Sequence, residues 1–167
     1  MISEYWLNQN KLKHFSDENW GVGGLGFCQI IDEFAKEIGA QTILDYGCGK
    51  GFLAQLLRDR GYSICNYDPA THPKLPETPA DLVVCTDVLE HVEYEYLDDV
   101  LNNIKQLAMA GVFFSICMKP AINLMPDGTN AHKIIQNKDF WVKEISKNWL
   151  IQTCKEINKD VLIITGK

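Results

Sequence analysis

The chain has 167 residues, which is enough for one domain with a sizeable core. Hydrophobic residues make up 46% of it and charged residues 23%, as is typical of globular domains. The formal net charge of -6 argues against a general nucleic-acid binder, and no apolar run is long enough to span a bilayer.

The cysteines indicate a reducing compartment. They are scattered along the chain, none forms a C-x-x-C pair, and most fall in apolar, strand-like runs: Cys28, Cys48, Cys65, Cys85, Cys117 and Cys154. The first residues lack the apolar core of a signal peptide. We therefore expect a cytoplasmic protein without disulfides.

Residues 1–26 are predicted to form an N-terminal arm or lid, and residues 27–167 the core of a single domain. The arm is polar with aromatic anchors and ends in a glycine-rich joint. It either closes over a ligand, with Tyr5, His14 or Trp20 facing the site, or only packs against the core. Residues 27–38 have apolar side chains at helical spacing and end at Gly39.

A buried strand, a glycine-rich turn and a helix are predicted over Thr42–Leu53. Gly47, Gly49 and Gly51 stand at alternate positions after Asp45. Glycine permits positive φ and lets a ligand approach the main chain. Free N–H groups at the start of the following helix favour an anionic or strongly accepting ligand.

A second short strand ends at Asp68-Pro69. A carboxylate at this place, about twenty residues after the glycines, is what binding of a ribose diol requires. The other interpretation is that Asp68 only starts an Asp-Pro turn. Residues 71–80 hold three prolines and are predicted to form a loop.

The next strand, residues 80–86, is a nearly continuous apolar run that predicts a parallel strand covered on both faces. It leads into Asp87-Val88-Leu89-Glu90-His91-Val92. The D-x-G-x-G-x-G pattern of residues 45–51 resembles motif I of the class I S-adenosylmethionine (SAM) methyltransferases. The segment D-L-V-V-C-T-D-V-L-E-H-V is similar to their motif IV, and the resemblance covers the chain from Ala35 onward.

The resemblance implies a reduced Rossmann-like α/β fold, with a mainly parallel sheet, helices on both faces and a terminal antiparallel strand. It implies a methyltransferase that binds SAM. The implied cofactor-binding residues lie in the two motifs and at the end of the second strand: Asp45, Gly47, Cys48, Gly49, Gly51, Asp68, Pro69, Asp87 and Val88.

A metal site is also indicated. Asp87, Glu90 and His91 have i, i+3, i+4 spacing and would share one helical turn. With His132 they resemble the metal ligands of the small-RNA 3′-terminal 2′-O-methyltransferases, and in part those of the ubiquinone-biosynthesis O-methyltransferases. Such ligands suit Mg²⁺, Mn²⁺ or Zn²⁺. Those families have glutamate where this chain has Asp87, and Glu90 could serve only the helix N-terminus.

The loop P-D-G-T-N-A-H, residues 126–132, follows a further buried strand at 111–117. Pro and Asp-Gly favour a turn, and a similar segment occurs in a family of small methyltransferases. The loop is either structural or an acceptor-site lid in which His132 acts as a base or metal ligand.

The remaining elements complete the predicted fold. Residues 93–108 are predicted to be helical, and Asp139 is the predicted N-cap of a further helix. Residues 149–156 and 160–165 are expected to form an antiparallel hairpin with its turn at residues 157–159.

The predicted reaction is in-line transfer of a methyl group to an unidentified acceptor, a small molecule or an RNA terminus. A hydroxyl oxygen is favoured because no N-P-P-Y or D-P-P-Y tetrapeptide is present. His91 or His132 would accept its proton. Two alternatives stay open: a nicotinamide-dependent oxidoreductase, although Phe52 replaces the third glycine of that pattern, and a SAM-binding module without catalysis.

Overall fold

A computed structural model describes residues 2–167. Within these residues the α-helices are α1 (Glu4–Ser16), α2 (Cys28–Ile38), α3 (Phe52–Arg58), α4 (Leu97–Leu107) and α5 (Lys138–Ser146). The strands are β1 (Thr42–Tyr46), β2 (Ser63–Tyr67), β3 (Ala80–Thr86), β4 (Ala108–Cys117), β5 (Ile151–Ile157) and β6 (Val161–Gly166). Short 3-10 helices lie at Leu25–Phe27, Leu89–His91 and Tyr94–Tyr96.

The strands form one sheet in the order β2-β1-β3-β4-β6-β5. The first four strands of this order are parallel, and β6 runs antiparallel to both of its neighbours. This confirms the predicted fold class, a mainly parallel sheet that closes with an antiparallel hairpin.

Helices cover both faces of the sheet. On one face, α2 and α3 pack against the side chains of Ile43, Leu82 and Phe113. On the other, α4 and α5 pack against Leu44, Val83 and their neighbours. Because β3 is covered on both sides, its residues from Leu82 to Cys85 are fully buried, which explains the continuous apolar run in the sequence.

The N-terminal arm is a helix docked on the loop that follows β4. Trp6 is buried in a small separate cluster with Met125 and Ala131. Its indole Nε1 donates to the carbonyl oxygen of His91 at 2.8 Å, and the Lys133 ammonium lies 3.7 Å from the ring centroid. The arm is therefore held through the apolar contacts, the cation contact and the N–H edge of one aromatic side chain.

Three local predictions need correction. The N-cap of α5 lies two residues earlier than predicted, at Asn137 instead of Asp139, because the Asn137 side chain accepts from Phe140 N. The hairpin turn lies at residues 158–160, where Asn158 and Lys159 have positive φ. Strand β4 starts at Ala108 instead of residue 111, and its register against β3 shifts between Ala108 and Gly111.

The proline-rich segment contains no helix and no named strand, as predicted; one isolated bridge joins Asp68 and His72. Among the helices of residues 2–167, none combines the length and apolarity needed to cross a membrane.

Candidate active site

A cavity of about 480 Å³ lies at the carboxyl ends of β1, β3 and β4, beneath the N-terminal arm. Here the chain turns from β1 towards β2 on one side, whereas β3 lies on the other side. Open α/β sheets bind their ligands at such a switch point. The cavity is lined by residues from the glycine turn, the ends of three strands, the arm and the loop after β4.

Two of the three motif glycines are required for the shape of the cavity. Gly47 and Gly49 have φ of 78° and 52° and line it. A Cβ on Gly47 would lie 2.3 Å from Val88 Cγ2, and one on Gly49 would lie 2.4 Å from the Gly21 carbonyl oxygen. Gly51 is the N-cap of α3 at φ 75° and does not line the cavity, so its role lies in the turn itself.

Asp45 places an unpartnered carboxyl group in the cavity wall. It lies near the end of β1, is 1% exposed, and neither carboxyl oxygen has a hydrogen-bond partner in the protein. Burial, together with the nearby charge of Asp68, raises the pKa of Asp45 to about 7. A buried acceptor of this kind is stabilised by a cationic or hydrogen-bond-donating ligand.

Asp68 holds the backbone around the same turn. Its carboxylate accepts hydrogen bonds from the amides of Gly49, Ala70 and Thr71 at 3.1, 2.8 and 3.1 Å. These bonds take three of roughly four acceptor positions of a carboxylate, so one position is free for a ligand. Asp68 therefore starts a turn, and it also lines the cavity with Pro69. Its binding of a ribose stays a prediction.

Asp87 departs from the predicted geometry. It has φ of 53°, so it does not continue into a helical turn, and the 3-10 helix begins only at Leu89. Ser115 on β4 fixes this conformation: its carbonyl accepts from Asp87 N at 2.9 Å and its hydroxyl donates to Asp87 Oδ1 at 2.9 Å. The prediction that Asp87, Glu90 and His91 share one turn is wrong, because left-handed backbone at the first residue breaks the spacing.

Two imidazoles meet at the wall opposite the glycine turn. The ring centroids of His91 and His132 are 4.7 Å apart, edge to face. His91 Nδ1 lies 2.9 Å from the Ala131 carbonyl oxygen, and His132 Nδ1 lies beside that of Lys119. Since a carbonyl oxygen only accepts, each Nδ1 atom carries a proton, and in the neutral form of either ring the lone pair lies on Nε2. Burial, then the charge of His132, lowers the pKa of His91 to about 4.

Glu90 is fully buried between these imidazoles and β4. Its Oε1 accepts from Cys117 N at 2.7 Å, whereas Oε2 has no partner in the protein. Burial and the charge of Asp87 raise the pKa of Glu90 to about 8. Ligand atoms of Glu90, Cys117 and His132 all lie within 4.8 Å of one another. Among residues 2–167 this is the one trio that meets that spacing, and Asp87 and His91 are not part of it.

Sequence reasoning did not identify Cys117 as a site residue. It is the last residue of β4 and lines the cavity together with Lys119. Its position at the carboxyl end of a parallel strand is the signal that could have revealed it.

The arm contributes more of the cavity wall than its polar sequence indicates. Trp20 lies between His14 and His91, with ring centroids 6.4 and 5.3 Å away. His14 Nδ1 is buried without a partner, and both His14 and Trp20 line the cavity. Tyr5 does not, because its hydroxyl bonds to Asp127 on the outer surface.

The fold and cavity define an α/β protein with a cavity at the switch point of a mainly parallel sheet. Residues 24–142 match the family model described as a methyltransferase domain. The chain therefore belongs to the methyltransferase domain family, and it is a SAM-dependent methyltransferase of the class I type. This decides between methyl transfer and the nicotinamide alternative. No match was found among curated protein sequences.

Solved structures with the same fold are similar over nearly the whole chain. One is the 1,6-didemethyltoxoflavin-N1-methyltransferase of Burkholderia thailandensis, with TM-score 0.71 and 10% identity over 96% of this chain and 86% of that one. A SAM-dependent methyltransferase from Clostridium acetobutylicum has TM-score 0.63 and 13% identity, over 95% of this chain and 98% of that one. The methyltransferase domain of a bacterial CtHen1 protein has TM-score 0.64 and 18% identity, over 86% of this chain and 100% of that one.

Proposed function

We propose that this protein methylates a hydroxyl oxygen of a small molecule that enters the cavity beneath the arm. The proposal depends mainly on one observation, the pair of imidazoles whose Nε2 atoms are free of protein partners at the cavity wall. A hydroxyl oxygen is a weak nucleophile unless its proton is removed as it is methylated, whereas a neutral amine attacks without losing a proton first. A wall with proton acceptors therefore favours the hydroxyl.

SAM would occupy the part of the cavity nearest β1. The ammonium group of the ligand suits the unpartnered carboxyl of Asp45, and the bare main chain of Gly47 and Gly49 leaves room for its methionine portion. Asp68 would accept one ribose hydroxyl through its remaining acceptor position, with Pro69 near the adenine. Asp87 and Val88 would lie beside the methionine end, and Cys48 would flank the turn.

The bound cofactor supplies a methyl group on a positively charged sulfur. The residues of this chain need only place the acceptor atom in line with that methyl group and accept the released proton. His91, with its low pKa, is suited to accept a hydrogen bond from the hydroxyl without taking the proton fully. His132 lines the same cavity and, when no cation occupies its Nε2, is suited to pass the proton to solvent.

A small acceptor fits the enclosure better than an RNA terminus. Trp20 and His14 of the arm form part of the wall, and the formal net charge of -6 offers no general attraction for phosphates. A fold neighbour with a small heterocyclic ligand, 1,6-didemethyltoxoflavin, is consistent with this choice. The bacterial CtHen1 domain is a neighbour of the same fold, so RNA termini belong in the test.

Metal assistance is a second candidate feature of the same reaction. Glu90 favours it, because its carboxyl group lies near His132 and its Oε2 is buried without a partner, an arrangement that a cation would stabilise. A divalent cation held there would lower the pKa of an acceptor hydroxyl and orient it.

Transfer of a labelled methyl group from SAM tests the proposal. Pools of phenols, aliphatic alcohols, amines and short RNAs are offered to the wild type and to His132→Gln. We expect label in a hydroxyl pool and a drop in rate of about 10²–10⁴-fold for the variant. Label confined to amines or RNA would contradict the acceptor assignment. SAM binding by calorimetry with no labelled product in any pool would favour a module without catalysis.

A further inference from the structure

Three segments of the chain bring three different ligand atoms to one place on the cavity wall. Glu90 belongs to the 3-10 helix after β3, Cys117 ends β4, and His132 ends the loop that follows. Their carboxyl oxygen, sulfur and imidazole nitrogen lie within 4.8 Å of one another. Side chains from three segments converge here although no local pattern joins them.

Glu90 provides an independent indication of a ligand. It is fully buried, and Oε1 is fixed by the amide of Cys117, so the carboxyl group cannot turn freely. Oε2 is buried without a hydrogen-bond partner in the protein, and a carboxyl oxygen of Glu90 lies within 4.8 Å of the ligand atoms of Cys117 and His132. Leaving such an atom unpaired costs about 1–3 kcal/mol, and a bound cation would remove that cost.

Lys119 orients the other two side chains through its main-chain carbonyl. His132 Nδ1 donates to this oxygen, and the Cys117 thiol lies 3.8 Å from it. The Nδ1 bond leaves His132 Nε2 as the free donor atom. Metal-binding histidines commonly have this arrangement, in which a backbone carbonyl fixes the ring and its tautomer.

The donor set selects the kind of cation. Mg²⁺ takes oxygen ligands almost alone, whereas a carboxylate, an imidazole and a thiolate together suit Zn²⁺ and its neighbours in the first transition row. The set that the resemblance implied is different, because Asp87 Oδ1 already accepts from the Ser115 hydroxyl and His91 is outside the trio.

We propose that Glu90, Cys117 and His132 bind a zinc-type divalent cation whose fourth position opens into the cavity. Binding would displace the proton of the Cys117 thiol and any proton on the Glu90 carboxyl group, and release them to solvent. The role of the cation in catalysis depends on the proposed methyl transfer to a hydroxyl, but its binding can be measured without any acceptor.

Cobalt substitution tests the thiolate ligand directly. The full chain is stripped with chelator, titrated with Co²⁺ and observed in the near ultraviolet, where a thiolate bound to cobalt absorbs by charge transfer. We expect one equivalent of Co²⁺ to produce this charge-transfer band. Zn²⁺ should abolish the band by displacing Co²⁺, whereas Mg²⁺ should leave it unchanged. Cys117→Ser should lose the band and bind Zn²⁺ at least about tenfold more weakly.

Cys154→Ser is the matched control, because Cys154 is a half-buried thiol on β5 away from the cavity. It should keep the band. A wild type without the band, or a band that persists in Cys117→Ser, would overturn the metal site. SAM binding is measured by calorimetry on the same samples, so loss of cofactor binding is distinguished from loss of the cation alone. Circular dichroism confirms that each variant is folded.

Discussion

The amide nitrogen of Lys50 donates a 2.9 Å hydrogen bond to the carbonyl oxygen of Gly21. This bond joins the N-terminal arm to the glycine turn, and the Gly21 oxygen fills the space where a Cβ on Gly49 would lie. The turn is therefore bounded by the arm on one side and by the cavity on the other.

Gly49→Ala should disrupt both the turn and cofactor binding. The new Cβ would meet the Gly21 oxygen at 2.4 Å, and alanine at φ 52° adds about 1–2 kcal/mol of backbone strain. Gly39→Ala is the matched control, since Gly39 has φ of 71° but open space around its Cβ position. We expect both variants to lose stability in urea and only Gly49→Ala to lose SAM affinity by calorimetry. Equal SAM affinities for the two variants would count against this account.

The stability of the free protein should depend on pH through Asp45. Its pKa is about 7 in the folded protein and 3.8 in the unfolded chain, so the folded state binds the proton more tightly. Between those values, stability falls as pH rises, because the folded state must either keep a proton or bury a charge. Asp45→Asn should reduce this slope in urea titrations at pH 4 to 7, and Glu90, whose pKa is also raised, accounts for part of what remains. An unchanged slope in Asp45→Asn would contradict the assignment of this pH dependence to Asp45.

SAM affinity should rise over the same pH range. The ligand's ammonium requires ionised Asp45, so binding below pH 7 must expel the Asp45 proton. We expect the affinity to increase up to about pH 7.7, where an α-amino group begins to lose its own proton. Calorimetry in buffers of different ionisation enthalpy counts the released proton, and Asp45→Asn should release none.

Lys50→Met should loosen the arm. The Lys50 ammonium donates to the carbonyl oxygens of Asp17 and Glu18, just after the end of α1. Losing these bonds should speed amide exchange in α1 about tenfold, which corresponds to about 1.4 kcal/mol. Lys147→Met is the control, because Lys147 bonds to Asp98 and Glu144 on another part of the surface. In Lys147→Met, amide exchange in α1 should be unchanged.

Trp6→Phe should cost more stability than Trp141→Phe. Both indoles are buried, but Trp6 Nε1 donates to the His91 carbonyl whereas Trp141 Nε1 has no partner in the protein. The first change orphans a carbonyl next to the cavity, and the second removes an unsatisfied donor. We expect a difference of about 1–3 kcal/mol in the free energy of unfolding. Similar losses from the two changes would show that the Trp6 hydrogen bond contributes little.

The spacing of glycines and apolar residues along the chain predicted those parts of the fold that depend on neighbouring residues. The glycine turn after Asp45, the continuous apolar run of β3 and the closing hairpin were all readable, because strand burial and turn formation leave short-range signals. The position of Asp68 after β2 was readable for the same reason. These elements place the carboxyl edge of the sheet, and with it the cavity.

The details of the site depend on contacts between distant residues. Asp87 takes left-handed backbone because Ser115, 28 residues away, binds its amide and its carboxyl group. Cys117 and His132 meet Glu90 through the same neighbouring strand and the loop after it. Spacing along the chain cannot report such contacts, so the helical-turn prediction for Asp87 was wrong and Cys117 was missed.

The interior position of β6 has a consequence for how the protein is made. This strand follows β5 along the chain but lies between β5 and β4 in the sheet. Until residues 161–166 have left the ribosome, β4 has one unpaired edge that includes the apolar Phe113 and Phe114. A nascent or prematurely terminated chain would therefore expose an aggregation-prone strand edge. We expect chaperones to bind the chain at this strand.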